Sequence, residues 1–186
     1  KWRVPQVLEN ASYKGKIWAF PYRNSTRVLL WNKDMFKAAG LDPEKPPQTW
    51  AEFIEMGKKL TYGDQYGFSF PAKRDCTVAP EYLRTVMNAF GADITDPAIT
   101  KSTINTPEAK QAIRMWTDMV TKDKIVPRDV ISSDDNEDII TFGSQTTAMC
   151  LAGPWSVDTL RIQFPNLNYG VALIPSNEKG VPGKFG

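Results

Sequence analysis

The chain has 186 residues, 41% hydrophobic and 24% charged, the proportions of one folded domain of ordinary composition, which sets aside disordered and fibrous classes. Its 23 Lys and Arg nearly balance 21 Asp and Glu, and with no basic block to track a phosphate backbone, nucleic acid is not an expected partner. There is no histidine, so imidazole-based nucleophile triads and the commonest metal ligand are missing together.

In chain order, residues 17–20 and 28–31 are two β-like runs separated by Pro21-Tyr22-Arg23-Asn24-Ser25-Thr26-Arg27. A short helix follows over 33–39, with Gly40 where a left-handed cap belongs. Thr49-Trp50-Ala51-Glu52 is a capping box opening a helix to about residue 60, with Trp50, Phe53, Ile54 and Leu60 on its buried face. Residues 66–70 read as a strand ended by Pro71. A polar loop, 72–79, then leads to a helix over 81–90 that stops at Gly91.

The clearest helix covers 107–122, capped by Thr106, with Ala109, Ala112, Ile113, Trp116, Met119 and Val120 on one stripe. Ser133 and Asp134 open another through about residue 142, so Asp134, Asp135, Glu137 and Asp138 are read as a helix start rather than a metal site. The small and apolar run 146–151 suits a buried strand, and Gly153-Pro154 turns it into a helix over 156–164. A last strand, 169–174, ends at Pro175. Strands alternating with helices predict an α/β fold with a mixed sheet covered on both faces.

The strand-to-helix turn puts Trp155 at the carboxyl edge of the sheet, where open α/β sheets bind ligands. A flat ring held there suits stacking against a sugar, with a core or capping aromatic as the alternative. Trp18, Tyr22 and Tyr82 fall at similar edges, a pattern that suits a pocket rim, with Trp18 expected to pack. Asp75 and Glu81, on or beside one loop, are the carboxylate pair that could run glycoside hydrolysis.

No dinucleotide or P-loop fingerprint occurs, and Gly180-Val181-Pro182-Gly183-Lys184 is too short for a phosphate cradle. No cofactor is expected. Cys76 and Cys150 are too few for a disulfide scaffold or a zinc site, and are read as buried free thiols, with pairing in an oxidising compartment as the alternative. No apolar run reaches the ~18 residues of a membrane span, and no export signal opens the chain. Lys1-Trp2-Arg3-Val4-Pro5 reads as the middle of a longer sequence, and Gly183-Lys184-Phe185-Gly186 as an unfinished end.

Five segments in order carry a resemblance. Tyr13-Lys14-Gly15-Lys16-Ile17-Trp18-Ala19-Phe20-Pro21 and Leu29-Leu30-Trp31-Asn32-Lys33-Asp34-Met35-Phe36 are followed by Pro47-Gln48-Thr49-Trp50-Ala51-Glu52-Phe53. Phe142 with Ala148-Met149 and Gly153-Pro154-Trp155, then Tyr169-Gly170-Val171-Ala172-Leu173-Ile174-Pro175, complete the set. Together they resemble the maltose-binding-protein-like carbohydrate-binding proteins of ABC importers. One departure is Gln145-Thr146, where that family usually has Gly-Lys.

The resemblance implies a periplasmic-binding-protein-like (type II) lobe with a mixed, mostly parallel sheet and helices on both faces. It makes residues 1–20 and 176–186 remnants of the hinge or first lobe and 21–175 the solute-binding second lobe. It implies a non-enzymatic, exported, envelope-associated protein, periplasmic or extracellular, that closes two lobes over a mono- or oligosaccharide and delivers it to the transmembrane subunits of an ABC permease.

Its ligand contacts, carried over, are Trp155, Glu81, Tyr82, Asn24 and Ser25. The missing first lobe is a further partner, and apolar surface left uncovered offers self-association. A carbohydrate-active enzyme fragment, or a binder of a polyamine, peptide or metal complex on the same fold, are the rival readings.

Overall fold

An apolar strand must hide both faces as well as pair both edges, and Thr147–Ala152 does so by lying inside a sheet with all six residues buried. The computed structural model describes residues 8, 9, 11–20 and 26–177. A two-stranded ribbon comes first, β1 (Ser12–Tyr13) and β2 (Lys16–Ile17). Then follow β3 (Val28–Asn32), α1 (Lys33–Ala38), α2 (Trp50–Leu60), β4 (Tyr66–Ser69), α3 (Ala79–Ala89) and α4 (Pro107–Thr121). A 3-10 turn (Arg128–Ser132), α5 (Glu137–Gly143), β5 (Thr147–Ala152), α6 (Ser156–Gln163) and β6 (Tyr169–Ala172) complete the order.

The main sheet runs β4-β5-β3-β6. Its α/β class and mixed character agree with the sequence reading, but the expected mostly parallel sheet does not. Only β4 and β5 are parallel, whereas β5 with β3 and β3 with β6 are antiparallel. Apolar runs reveal which segments are buried and carry no information on strand direction, which the long helical connections leave free.

Period-two alternation divides the core between the two faces. Leu29, Trp31, Met149 and Leu151 join the larger cluster with Phe53, Val86 and Trp116 of α2, α3 and α4. Leu30, Cys150 and Ala152 face Ile139, Phe142 and Leu160 of α5 and α6. Cys76 and Cys150 are both buried free thiols.

Capping residues act as their spacing indicates. Thr49 Oγ1 accepts from Glu52 N at 3.2 Å, and Thr106 Oγ1 from Ala109 N at 3.3 Å. Glu52 returns to the backbone N–H of Gln48 rather than of Thr49.

Three further expectations fail. Residues 18–20 are not strand, and Trp18 is 70% exposed instead of packed, its Nε1 donating to the Tyr13 carbonyl. Two residues per strand leave too little surface to cover an indole. The helix expected from residue 133 starts only at Glu137, because Asn136 takes the left-handed conformation, φ 71°, and breaks it.

Three helices end in the same way. After α1 and α3, Gly40 and Gly91 adopt φ 73° and 77°, and the next residue's N–H returns to the helix carbonyls of Phe36 and Met87. After α5 the same pair of bonds forms, Gln145 N to Phe142 O and Thr146 N to Thr141 O, but the left-handed residue is Gln145, φ 62°. A Cβ in that conformation costs about 1 kcal/mol. Gln145→Gly is therefore expected to raise unfolding stability by roughly 0.5–1 kcal/mol, read as a shifted urea midpoint at unchanged slope.

Candidate functional site

β5 ends at Ala152, Gly153-Pro154 turns the chain, and Trp155 stands at the cap position of α6. A methyl group added at Gly153 would lie 2.0 Å from Cζ3 of the indole, so the ring rests directly on that glycine. Ser156 Oγ donates to the Gly153 carbonyl at 2.5 Å and pins the turn. The ring is 39% exposed, neither sunk in the core nor loose on the surface.

The β3–β5 register determines what meets the ring. Val28 pairs with Ala152, so one step further along the antiparallel pair sets Arg27 against Gly153. The Arg27 guanidinium lies 4.5 Å from the centre of a Trp155 ring and 5.6 Å from that of Tyr82, within the range of cation–π attraction. Arg27 is 8% exposed and forms an ion pair with Glu81. Sequence reasoning missed Arg27, since only the pairing register places a residue ahead of β3 beside a turn some 125 residues later.

Glu81 sits in the first turn of α3, where the helix dipole favours a carboxylate. That helix has no cap from its own residues, and the carboxylate of Asp135 supplies one from the loop before α5. It accepts from the backbone N–H groups of Thr77 and Val78 at 3.1 and 3.3 Å, the Cys76 thiol at 2.6 Å, and the Thr77 hydroxyl. The Cys76 and Thr77 hydrogen bonds hold the Asp135 carboxyl below the usual aspartate range. Residues 133–135, expected as helix, instead anchor the helix that carries Glu81.

Tyr82 differs from the expectation of a ligand contact. It is 2% exposed, and its hydroxyl lies 2.8 Å from the Leu151 carbonyl and 3.0 Å from Asp138 Oδ2. One phenolic hydrogen cannot serve both oxygens, so both contacts are satisfied when Asp138 is protonated and donates to Tyr82, which donates to Leu151. Burial pushes the Asp138 carboxyl up to about 7, and Tyr82 is likewise pushed up, by its own burial and then by Asp138.

The structure thus brings Trp155 and Glu81 to one guanidinium and places Tyr82 behind them. Asn24 and Ser25, with Tyr22, lie outside the described residues. Asp75 is exposed in the loop before α3, and among the described residues no hydrogen bond joins it to Glu81. An apolar cavity of about 220 Å³ opens beside the Gly153 turn, between Val28, Leu160, Tyr169 and Val171. A wider groove of about 630 Å³ lies at the far end of α3, among Arg84, Asp93, Asp96 and Glu108. Neither is lined by Trp155 or Glu81.

The model of the bacterial extracellular solute-binding protein family matches residues 2–185. A putative binding protein of Brucella abortus is 30% identical over 185 residues, 98% of this chain and 42% of the relative. The sn-glycerol-3-phosphate-binding periplasmic protein of Salmonella typhimurium is 31% identical over 175 residues, 90% of this chain and 38% of that protein. Among solved structures, an ABC transporter solute-binding protein from Thermotoga lettingae, bound with α-D-tagatose, superimposes with a TM-score of 0.84 at 26% identity. That match covers 96% of this chain and 45% of the other. The chain spans less than half the length of these relatives.

The Asp138 site sets a pH dependence of known sign. A carboxyl raised to about 7 in the folded state binds its proton more tightly there than in the unfolded chain, so its contribution is complete below about pH 4 and is lost as pH rises toward 7. Asp138→Asn reproduces the protonated donor, so its stability advantage over the parent is expected to grow between pH 4 and 7, measured by thermal melts at each pH. For the turn, Gly153→Ala is expected to keep the fold and displace the indole, shifting Trp155 emission, measured as the difference between spectra with and without Trp155→Phe in each background.

Proposed function

The chain belongs to the family of bacterial extracellular solute-binding proteins, and from that premise we propose that it forms most of one lobe of an ABC importer's solute-binding component, taking a mono- or oligosaccharide. Residues 21–175 make the solute-binding lobe, and residues 1–20 and 176–186 belong to the hinge or the other lobe. The separate pairing of β1 with β2, away from the main sheet, supports that division.

The observation that carries the reading is the half-exposed indole of Trp155, seated on Gly153 and backed by Arg27, with the Glu81 carboxylate on the same guanidinium. A sugar offers apolar C–H faces to an aromatic ring and hydroxyl donors to a carboxylate, so one rim meets both parts of its chemistry. The α-D-tagatose bound to the Thermotoga lettingae protein supports a sugar-type solute. Glu81 is engaged by Arg27, which favours binding over hydrolysis.

The protein works outside the cytoplasmic membrane, in a periplasm or on a lipid anchor. Its two lobes close over the solute by hinge bending, and the closed form docks on the permease. Val157, Ile162, Val171 and Leu173 are exposed apolar side chains, which supports a face that is covered in the longer protein or by a second copy of the chain.

In the full-length protein, Trp155→Ala is expected to weaken binding of a neutral sugar by about 30-fold, or ~2 kcal/mol, in calorimetric titrations. Saturable sugar binding that this substitution leaves unchanged would show the platform to be elsewhere.

A further inference from the structure

Resting on the reading of Trp155 and Glu81 as a sugar-binding rim, we infer that Arg27 is a positioning residue which builds this rim and makes it select neutral hydroxylated solutes over phosphate esters. One guanidinium is bound to both parts of the rim. It stacks 4.5 Å from the Trp155 ring centre while bonding the Glu81 carboxylate. With its side chain 9% exposed it is held in place, whereas the Glu81 side chain is 59% exposed.

A carboxylate has about four lone-pair positions. The single bond from Arg27 to an exposed Glu81 side chain leaves acceptor positions open to solvent, so the rim offers hydroxyl groups an acceptor on the same guanidinium that backs an apolar face.

The charges give the selectivity. A buried arginine with no acid beside it would be a bidentate phosphate site. Here Glu81 neutralises the cation and stands on its solvent side, so an approaching phosphate meets a carboxylate first. Among the described residues, the other ionisable groups acting on the pair are Asp138 and Tyr82, which carry negative charge or none. No second cation among the described residues pairs with Glu81.

The test is calorimetric titration of full-length protein with D-tagatose, D-mannitol, maltose and sn-glycerol 3-phosphate. At least one neutral compound is expected to saturate the site, with sn-glycerol 3-phosphate at least about tenfold weaker. Arg27→Met should weaken the neutral ligand about tenfold and shift Trp155 emission, and Arg27→Lys, which keeps the cation, should recover most of that loss. Glu81→Gln, an exposed change that leaves packing alone, removes the negative charge that stands beside the guanidinium. It is expected to narrow the gap between sugar and phosphate ester by about tenfold.

The inference is overturned if no neutral compound saturates, if sn-glycerol 3-phosphate binds more tightly than every neutral compound, or if Glu81→Gln leaves the ratio unchanged. Should Arg27→Met fail to fold by circular dichroism, Arg27→Lys and the Glu81→Gln ratio decide. Trp155→Ala separates the two readings. If it abolishes sugar binding while the Arg27 and Glu81 variants change nothing, only the role of Arg27 fails; if it changes nothing, the rim itself is misplaced.

Discussion

The antiparallel pairing of β3 with β5 is the constraint on which the rest of the structure depends. Each strand is apolar on both sides, so burial alone would tolerate a slip by two residues that keeps the same faces inward. Trp31 removes that freedom on one side. Its ring lies where a side chain on Gly170 of β6 would be, with a hypothetical methyl 2.1 Å from Cζ2, and its Nε1 donates to the Pro43 carbonyl at 2.9 Å. With β3 locked to β6, the pairing of Val28 with Ala152 carries the entry of β3 to the exit of β5. A cation from one end of the chain then meets an indole from the other.

The second rim residue is positioned less directly. Glu81 is only as well placed as the first turn of α3, and that turn is held by Asp135 at the backbone N–H groups of Thr77 and Val78 just ahead of it and by Asp138 through Tyr82. Both acids belong to the segment around the start of α5, and Asn136, in its left-handed conformation, lies between them. That one strained residue separates the outward carboxylate, which caps α3, from the inward one, which meets the tyrosine. The acidic cluster is therefore a clamp on a neighbouring helix, and the order of its residues matters more than its charge.

Much of the fold was legible because its signals are local. Thr49, Thr106 and Gly40 each mark a helix end within a few residues, and the stripe Ala109, Ala112, Trp116 and Met119 is buried as its spacing requires. Strand direction was not legible, because a run such as Val28–Trp31 looks the same whichever way its neighbour runs. Trp18 misled for a related reason: an indole reads as buried by composition, and only the brevity of the β1–β2 ribbon leaves it outside. At the site, Gly153-Pro154-Trp155 announces itself locally, whereas Arg27 and the inward turn of Tyr82 depend on contacts more than fifty residues apart in sequence.

That contrast explains what kind of surface this chain can present. Trp155 and Glu81 are exposed and line neither the cavity beside the Gly153 turn nor the groove at the far end of α3, and each is held for a reason located behind it: Gly153 and Arg27 for the ring, Asp135 and Tyr82 for the helix turn. A rigid open rim loses little side-chain entropy when a ligand arrives, but it desolvates only one side of that ligand. Tight binding to such a surface requires a second surface to cover the other side. What this chain shows is a ring and a carboxylate held in fixed relation, with Arg27 joined to both.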